Sequence, residues 1–497
     1  MKDIVLGIDI GTSAVKCIAV NKYGEVLQSF HESLKIINTR KGYSEQCPND
    51  WFETTKYCVK RLLKSNELNG YQVKGLSLTG QMHSLVILDD KYKPIRNAIL
   101  WNDTRSTKQC NLIKKKLGDY VLDNPVLEGF TLTKLLWIKE NEPNNWFKTK
   151  VFLLPKDYVR FRFTGKLNME FSDASSTLLL DNQKKCWSKE IGQQFGIYNI
   201  YPDLVASDEF VGYMSEQIAM ELGIMNKVAI FAGGGDNACG ALGSGVIDEN
   251  QTLCSIGTSG VILNCESEKL YDYKQNMHYF NHVSKDMSYV MGVTLAAGDS
   301  LRWLQNNILP NLSYEQIIEK AKSSTLGSNG LLFTPYLSGE RTPHGDANIR
   351  GSFIGLNASH NSDDIVRAVI EGITFSLYES INYLRHMGKD IDYVISIGGG
   401  AKSDFWLQLQ ADIFNTKIKK LKYEEGPCMG AAMLAVLGLG WYANLEDVVN
   451  HFIRLENTFE PHFTRHEQYK SYFELYRMVY QQTQFITTKL LEISDVD

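Results

Sequence analysis

The chain has 497 residues, 43% hydrophobic and 22% charged, enough for two large domains or three smaller ones with buried cores. Lys and Arg number 52 against 57 Asp and Glu, a formal charge of -5, so there is no electrostatic reason to expect nucleic acid or an anionic membrane. Nine scattered cysteines with no Cys-x-x-Cys pair argue for reduced thiols and against a disulfide framework or a zinc knuckle.

Asp3 and Asp9 make the opening residues a poor signal peptide, and the small apolar stretch 430–443 is too short to cross a bilayer. A cytoplasmic protein is expected. Residues 4–10 and 14–20 are β-rich runs around the turn Gly11-Thr12-Ser13, and residues 26–27 resume a strand after a second turn, which predicts an antiparallel meander. The first turn can offer backbone N–H groups and two hydroxyls to a phosphate, since glycine lets the backbone approach closely. It can equally be an ordinary hairpin. Asp9 weighs on the first side: a carboxylate inside an apolar strand needs a partner or a metal, and here it can hold Mg²⁺. A strand follows the turn and Gly-x-x-x-x-Gly-Lys-Ser/Thr is absent, so this is not a P-loop.

Gln81-Met82-His83 follows the strand-like run 76–79, and Trp101-Asn102-Asp103 follows the run 98–100. Both place polar and aromatic groups past a strand end, where α/β proteins bind ligands, and such groups suit a sugar. Interior packing is the other reading of His83 and Trp101. Residues 228–231 then run into Gly233-Gly234-Gly235-Asp236-Asn237. Asp236 reads either as a helix N-cap or as a general base for a hydroxyl nucleophile, with Asn237 placed to orient a sugar hydroxyl.

About half the chain further on, the design recurs. Residues 252–256 lead into Gly257-Thr258-Ser259-Gly260, and residues 394–397 lead into Gly398-Gly399-Gly400, with Ser403 as N-cap of the next helix. The bare glycine turn would let an adenine or ribose lie against backbone. The two triple-glycine turns read as echoes of each other. Two related halves, residues 1–245 and 246–497, are therefore expected, joined near residues 240–245. The small-residue stretch 430–435 reads as a helix that something approaches closely, nucleotide or helix. Residues 468–491 have helical spacing and read as a terminal helix on the second half.

These residues, in this order, resemble the FGGY carbohydrate kinases of the actin/hexokinase superfamily. Residues 129–141 and 351–371 carry the family's two long patterns, and the likeness spans essentially the whole chain. The resemblance implies an α/β fold of two related actin/hexokinase-like (ribonuclease H-like) domains with a cleft between them. It implies ATP and Mg²⁺ as cofactors and a small sugar as substrate. Residues 80–83, 101–103, 154–158, 233–238 and 336–343 look most like the members that phosphorylate xylulose; a sister kinase for another ketose or polyol, or an idle nucleotide-binding sensor, are the alternatives.

By the same resemblance Asp236 matches the catalytic base, and Gln81, Met82, His83, Trp101 and Asn237 fall in the sugar-binding set. Asp9 and Asp236 match the carboxylates near the metal. Gly11, Thr12, Ser13 and Lys16 with Gly257 and Thr258 match the phosphate turns, and Gly399, Gly400 and Ser403 the adenosine turn. Residues 424–430 depart from the family: Glu424 and Glu425 make the segment more acidic, with Cys428 and Met429 where smaller residues are expected. No nucleic acid or membrane partner is expected, and a homodimer is a compatible assembly.

Overall fold

The computed structural model describes residues 2–494. The chain divides into two compact units: Met1–Ile247 with Phe280–Ser288 and Glu425–Ile453, and Asp248–Tyr279 with Tyr289–Glu424 and Arg454–Asp497. Among the described residues, no helix is long and apolar enough to cross a membrane.

The first unit is built on six strands: β1 (Lys2–Ile10), β2 (Ala14–Asn21), β3 (Val26–Ser33), β4 (Tyr71–Gly80), β5 (Phe210–Tyr213) and β6 (Ala229–Gly235). Their order is β5-β6-β4-β1-β2-β3. β1, β2 and β3 form the expected antiparallel meander, and β4 joins parallel to β1, with β6 parallel to β4. Both faces of the central strands are covered, so in β1 Val5 and Gly7 are buried on one face as well as Ile4, Leu6 and Ile8 on the other.

The second unit repeats the plan. Its central strands are β7 (Gln251–Ile256), β8 (Gly260–Glu266), β9 (Tyr393–Gly398), β10 (Lys417–Leu421) and β11 (Leu455–Phe459). They run β8-β7-β9-β10-β11 across the sheet. β7 and β8 are an antiparallel hairpin around the second Gly-Thr-Ser turn, β9 is parallel to β7, β10 is parallel to β9, and β11 closes the edge antiparallel.

This sheet order corrects the expected echo between the two triple-glycine turns. Gly398 ends β9, which lies beside the hairpin strand as β4 does in the first unit; its counterpart is Gly80, not Gly235. The counterpart of β6 and the helix Asp236–Gly243 is β10 and the helix Pro427–Gly438. The two glycine runs look alike because each makes a tight strand exit, but they sit one strand apart.

Gly240 and Gly243 lie inside the helix Asp236–Gly243 and are buried, and the chain leaves the first unit at Ile247. The helix Pro427–Gly438, late in the chain, packs in the first unit. Contact there is backbone on backbone. A Cβ on Gly7 would stand 2.1 Å from the Cys428 carbonyl oxygen, one on Gly430 2.0 Å from that of Cys239, and one on Gly243 2.4 Å from that of Gly426. The small-residue stretch thus serves helix packing.

The terminal helix, Phe463–Ser494, belongs to the second unit and buries Tyr469, Phe473, Tyr476 and Val479, while Leu475 is exposed.

Candidate active site

In the first unit the β1–β2 turn is pinned from within. Gln46 Nε2 donates to the Thr12 carbonyl at 2.7 Å, Gln81 Nε2 to the Gly11 carbonyl at 3.3 Å, and Trp101 Nε1 to Thr12 Oγ1 at 2.9 Å. Gln46 is itself held by Trp51 and Gln81, and Gln81 by Ser84. Gln81 is buried with its amide engaged on both sides, and it shapes the turn. Trp101 reaches the same turn. Gln46 escaped the sequence reading, because nothing local marks a glutamine whose partner lies far away in the chain.

Asp9 stands one residue before the end of β1, directly across from Lys16 on β2. Its Oδ2 is 3.8 Å from where a Cβ on Gly11 would be, and its Oδ1 is enclosed with no hydrogen-bond partner. Burial pushes its pKa up to about 6, against the pull of Lys16.

Asp236 is the first residue of its helix, behind the N-cap Gly235. Its Oδ1 accepts from the Asn237 amide at 2.7 Å and from Asn237 Nδ2 at 3.0 Å. Burial first, and then the charge of Asp9, push its pKa up to about 7, with the Asn237 N–H pulling the other way.

Two electrostatically coupled carboxylates, one with an orphaned oxygen, are a donor set of the hard-oxygen kind that Mg²⁺ takes. The residues therefore fit that ion.

A buried ionic network backs the Asp236 turn. The Gly235 amide donates to Ser172 Oγ at 2.9 Å, and Ser172 Oγ donates to Glu170 Oε2 at 2.7 Å. Lys156 pairs with Asp157 at 2.8 Å and with Asp173 at 3.0 Å, and Arg160 pairs with Asp157 at 2.7 Å, all four fully buried. Three carboxyls face two cations, and burial raises the Asp173 pKa well above the usual range.

Met82 packs against the Gly235 turn, with Asn237 Nδ2 3.6 Å from its sulfur. His83 has φ 66°, in the left-handed region unusual for a side-chain-bearing residue. Its backbone is over-determined: Ser176 Oγ accepts from its N–H at 3.2 Å, and Thr131 Oγ1 and Lys134 Nζ donate to its carbonyl at 2.9 and 3.1 Å. Nδ1 lies 2.8 Å from the Ser176 carbonyl, which can only accept, so Nδ1 carries the proton. The ring stands edge-on to Phe130 at 4.6 Å and Phe280 at 5.8 Å. Met82, His83, Asp236 and Asn237 are thus built into connected surroundings. The buried Lys134, whose pKa desolvation lowers to about 7, was legible as a lysine in an apolar helix run; Ser176 and Phe280 carried no such signal.

The second unit holds a separate cavity of about 260 Å³ lined by Gly257, Thr258, Gly298, Tyr314, Gly399 and Gly400, among others. Its Gly-Thr-Ser turn rests on a helix N-terminus, with the Gly298 and Asp299 amides donating to the carbonyls of Gly257 and Thr258 at 2.9 and 3.1 Å. Tyr314 donates to the Gly399 carbonyl at 2.9 Å. Ser403 is the N-cap of the helix Asp404–Phe414, accepting from the Trp406 amide at 3.3 Å, and is not among the cavity's lining residues.

The two units share one plan, a Gly-Thr-Ser hairpin turn at the edge of the parallel strands of a mixed sheet. The N-terminal domain of the FGGY family of carbohydrate kinases matches residues 4–243 and the C-terminal domain matches residues 252–439. The chain belongs to this family. It is 54% identical to a xylulose kinase of Staphylococcus epidermidis over the full length of both, and 51% identical to one of Bacillus subtilis over 98% of each. Its fold matches the ligand-bound xylulose kinase of Lactobacillus acidophilus with a TM-score of 0.93 at 26% identity, over 98% of this chain and 100% of that one.

The raised carboxyl pKa values have a consequence for stability. A group with a folded pKa above its unfolded value binds more protons when folded, so its contribution is full below about pH 4 and is lost as pH rises through about 7. Asp236→Asn removes that loss. In EDTA the variant is expected to unfold about 2–4 °C above wild type near pH 8 and level with it near pH 4. Scanning calorimetry at both pH values checks this; an equal midpoint at pH 8 contradicts it.

Proposed function

We propose that this kinase transfers the γ-phosphoryl group of ATP to the terminal primary hydroxyl of D-xylulose, giving ADP and D-xylulose 5-phosphate. The observation that carries the reading is Asp236: a carboxylate at a helix start, backed by a buried network, with its pKa near neutrality beside Asp9. The xylulose kinases among its relatives, at 51–54% identity over nearly the whole chain, support the choice of sugar.

Asp236 takes the proton from the sugar hydroxyl as that oxygen bonds to the γ-phosphorus, and the bond from phosphorus to the bridging oxygen of ADP breaks on the opposite side. A pKa of about 7 suits this work, since the group is ionised in a useful fraction and still basic enough to receive a proton. Asn237 orients the Asp236 carboxylate, and Met82 and His83 hold the sugar in register. Gly11-Thr12-Ser13 and Lys16 bind phosphate oxygens; Gly257 and Thr258 do so from the second unit, where the cavity beside Gly399 and Gly400 takes the adenosine. Asp9 and Asp236 would hold Mg²⁺, which would supply positive charge to the phosphates. Positioning and charge stabilisation are most of what phosphoryl transfer asks of a protein. The division of labour follows the notional domains 1–245 and 246–497, with a cytoplasmic location.

Coupled ADP release measured across a panel of ketoses and polyols tests the assignment. D-xylulose is expected to give the highest kcat/KM; a higher value for another ketose or polyol redirects it to a sister kinase, and nucleotide binding with no sugar-dependent release to a sensor. In the same assay Asp9→Ala should raise the Mg²⁺ needed for half-maximal rate at least about tenfold, whereas an unchanged Mg²⁺ curve would make Asp9 purely structural.

A further inference from the structure

We infer that Glu425 is a built-in competitor for Lys16, the cation at the β1–β2 turn, and that it limits how tightly nucleotide is retained. The inference rests on the reading of Gly11-Thr12-Ser13 as a phosphate turn. Lys16 Nζ is 2.7 Å from Glu425 Oε2, with the two side chains 35% and 21% exposed. Lys16 also faces Asp9 across the hairpin. The ammonium group is therefore paired with Glu425, and also feels the charge of Asp9, before any phosphate arrives. An ion pair this open to water is weakly held, so a phosphate oxygen can displace the carboxylate.

Glu425 has little freedom to withdraw once displaced. Two residues on, the helix Pro427–Gly438 begins, and it is locked backbone to backbone at Cys428 against Gly7 and at Gly430 against Cys239. A displaced carboxylate stays beside the turn and repels a bound polyphosphate. The preceding residue behaves in parallel within the second unit: Glu424 Oε1 accepts from the Gly398 amide at 2.8 Å, at the start of the triple-glycine turn. Each of two successive carboxylates thus occupies a donor at one of the turns assigned to nucleotide. This accounts for the acidic departure from the family pattern at these positions.

The alternative is that Glu425 orients Lys16 productively for phosphate, and it predicts the opposite sign. Calorimetric titration of ADP with Mg²⁺ into wild type, Glu425→Gln and Glu425→Ala separates the two. Both variants are expected to bind ADP about three- to tenfold more tightly than wild type, with the KM for ATP falling in parallel. Lys16→Gln should cost more ADP affinity in the Glu425→Gln background than in wild type. Unchanged or weaker ADP binding in both Glu425 variants overturns the inference. A wild type that neither binds ADP nor releases it in the presence of sugar overturns the kinase reading instead.

Discussion

Asp236→Asn is expected to lower turnover about 10²–10⁴-fold while D-xylulose binding stays within a few-fold of wild type. The asparagine keeps the size of the side chain and can still accept from the Asn237 amide, which lies 2.7 Å from Asp236 Oδ1. It cannot take a proton from the sugar. Removing a carboxylate that burial and Asp9 hold at a raised pKa should also stabilise the metal-free protein near pH 8, so the same substitution is expected to gain stability and lose activity. Steady-state kinetics and calorimetry of sugar binding check the pair of effects. Turnover near the wild-type value would remove Asp236 from the role of base.

Gly430→Val should cost about 3 kcal/mol of stability or more, enough to show as a large fall in the denaturation midpoint and in soluble yield. A Cβ at this position would stand 2.0 Å from the Cys239 carbonyl oxygen, and both partners are main chain, so no rotamer change relieves the clash. Relief requires the helices Asp236–Gly243 and Pro427–Gly438 to separate, and Asp236 is the first residue of one of them. Wild-type stability of the variant in a urea titration would mean that this contact is looser than described.

What the sequence made legible is what local chemistry determines. The β1–β2–β3 meander followed from β-rich runs broken by polar turns, the second hairpin from the same design repeated, and the Ser403 cap from a serine ahead of an apolar helical run. Asp9 stood out because a charge inside an apolar strand has to be accounted for. The misreadings depended on partners distant in the chain. The two triple-glycine turns share a local conformation, but their places are set by strand order, which put Gly398 beside the hairpin strand and Gly235 one strand further out. The hold of the Gln81 amide on Gly11 and Gln46 is likewise not visible from its neighbours Met82 and His83. Gly243 also permits the backbone at Gly426 to approach its helix, which no local pattern shows. Glu425 was visible as an acidic departure, but only its approach to Lys16 gave it a chemical meaning.

The central claim is phosphoryl transfer to the terminal hydroxyl of xylulose, and the product carries the answer. Incubating the protein with MgATP and D-xylulose labelled with ¹³C at C5, then recording ³¹P and ¹³C spectra, reports which carbon bears the phosphoester. The account predicts a single sugar phosphate whose phosphorus couples to the labelled carbon, formed in step with ADP. A phosphoester on another carbon, or ADP formed with free phosphate and no sugar phosphate, would contradict it.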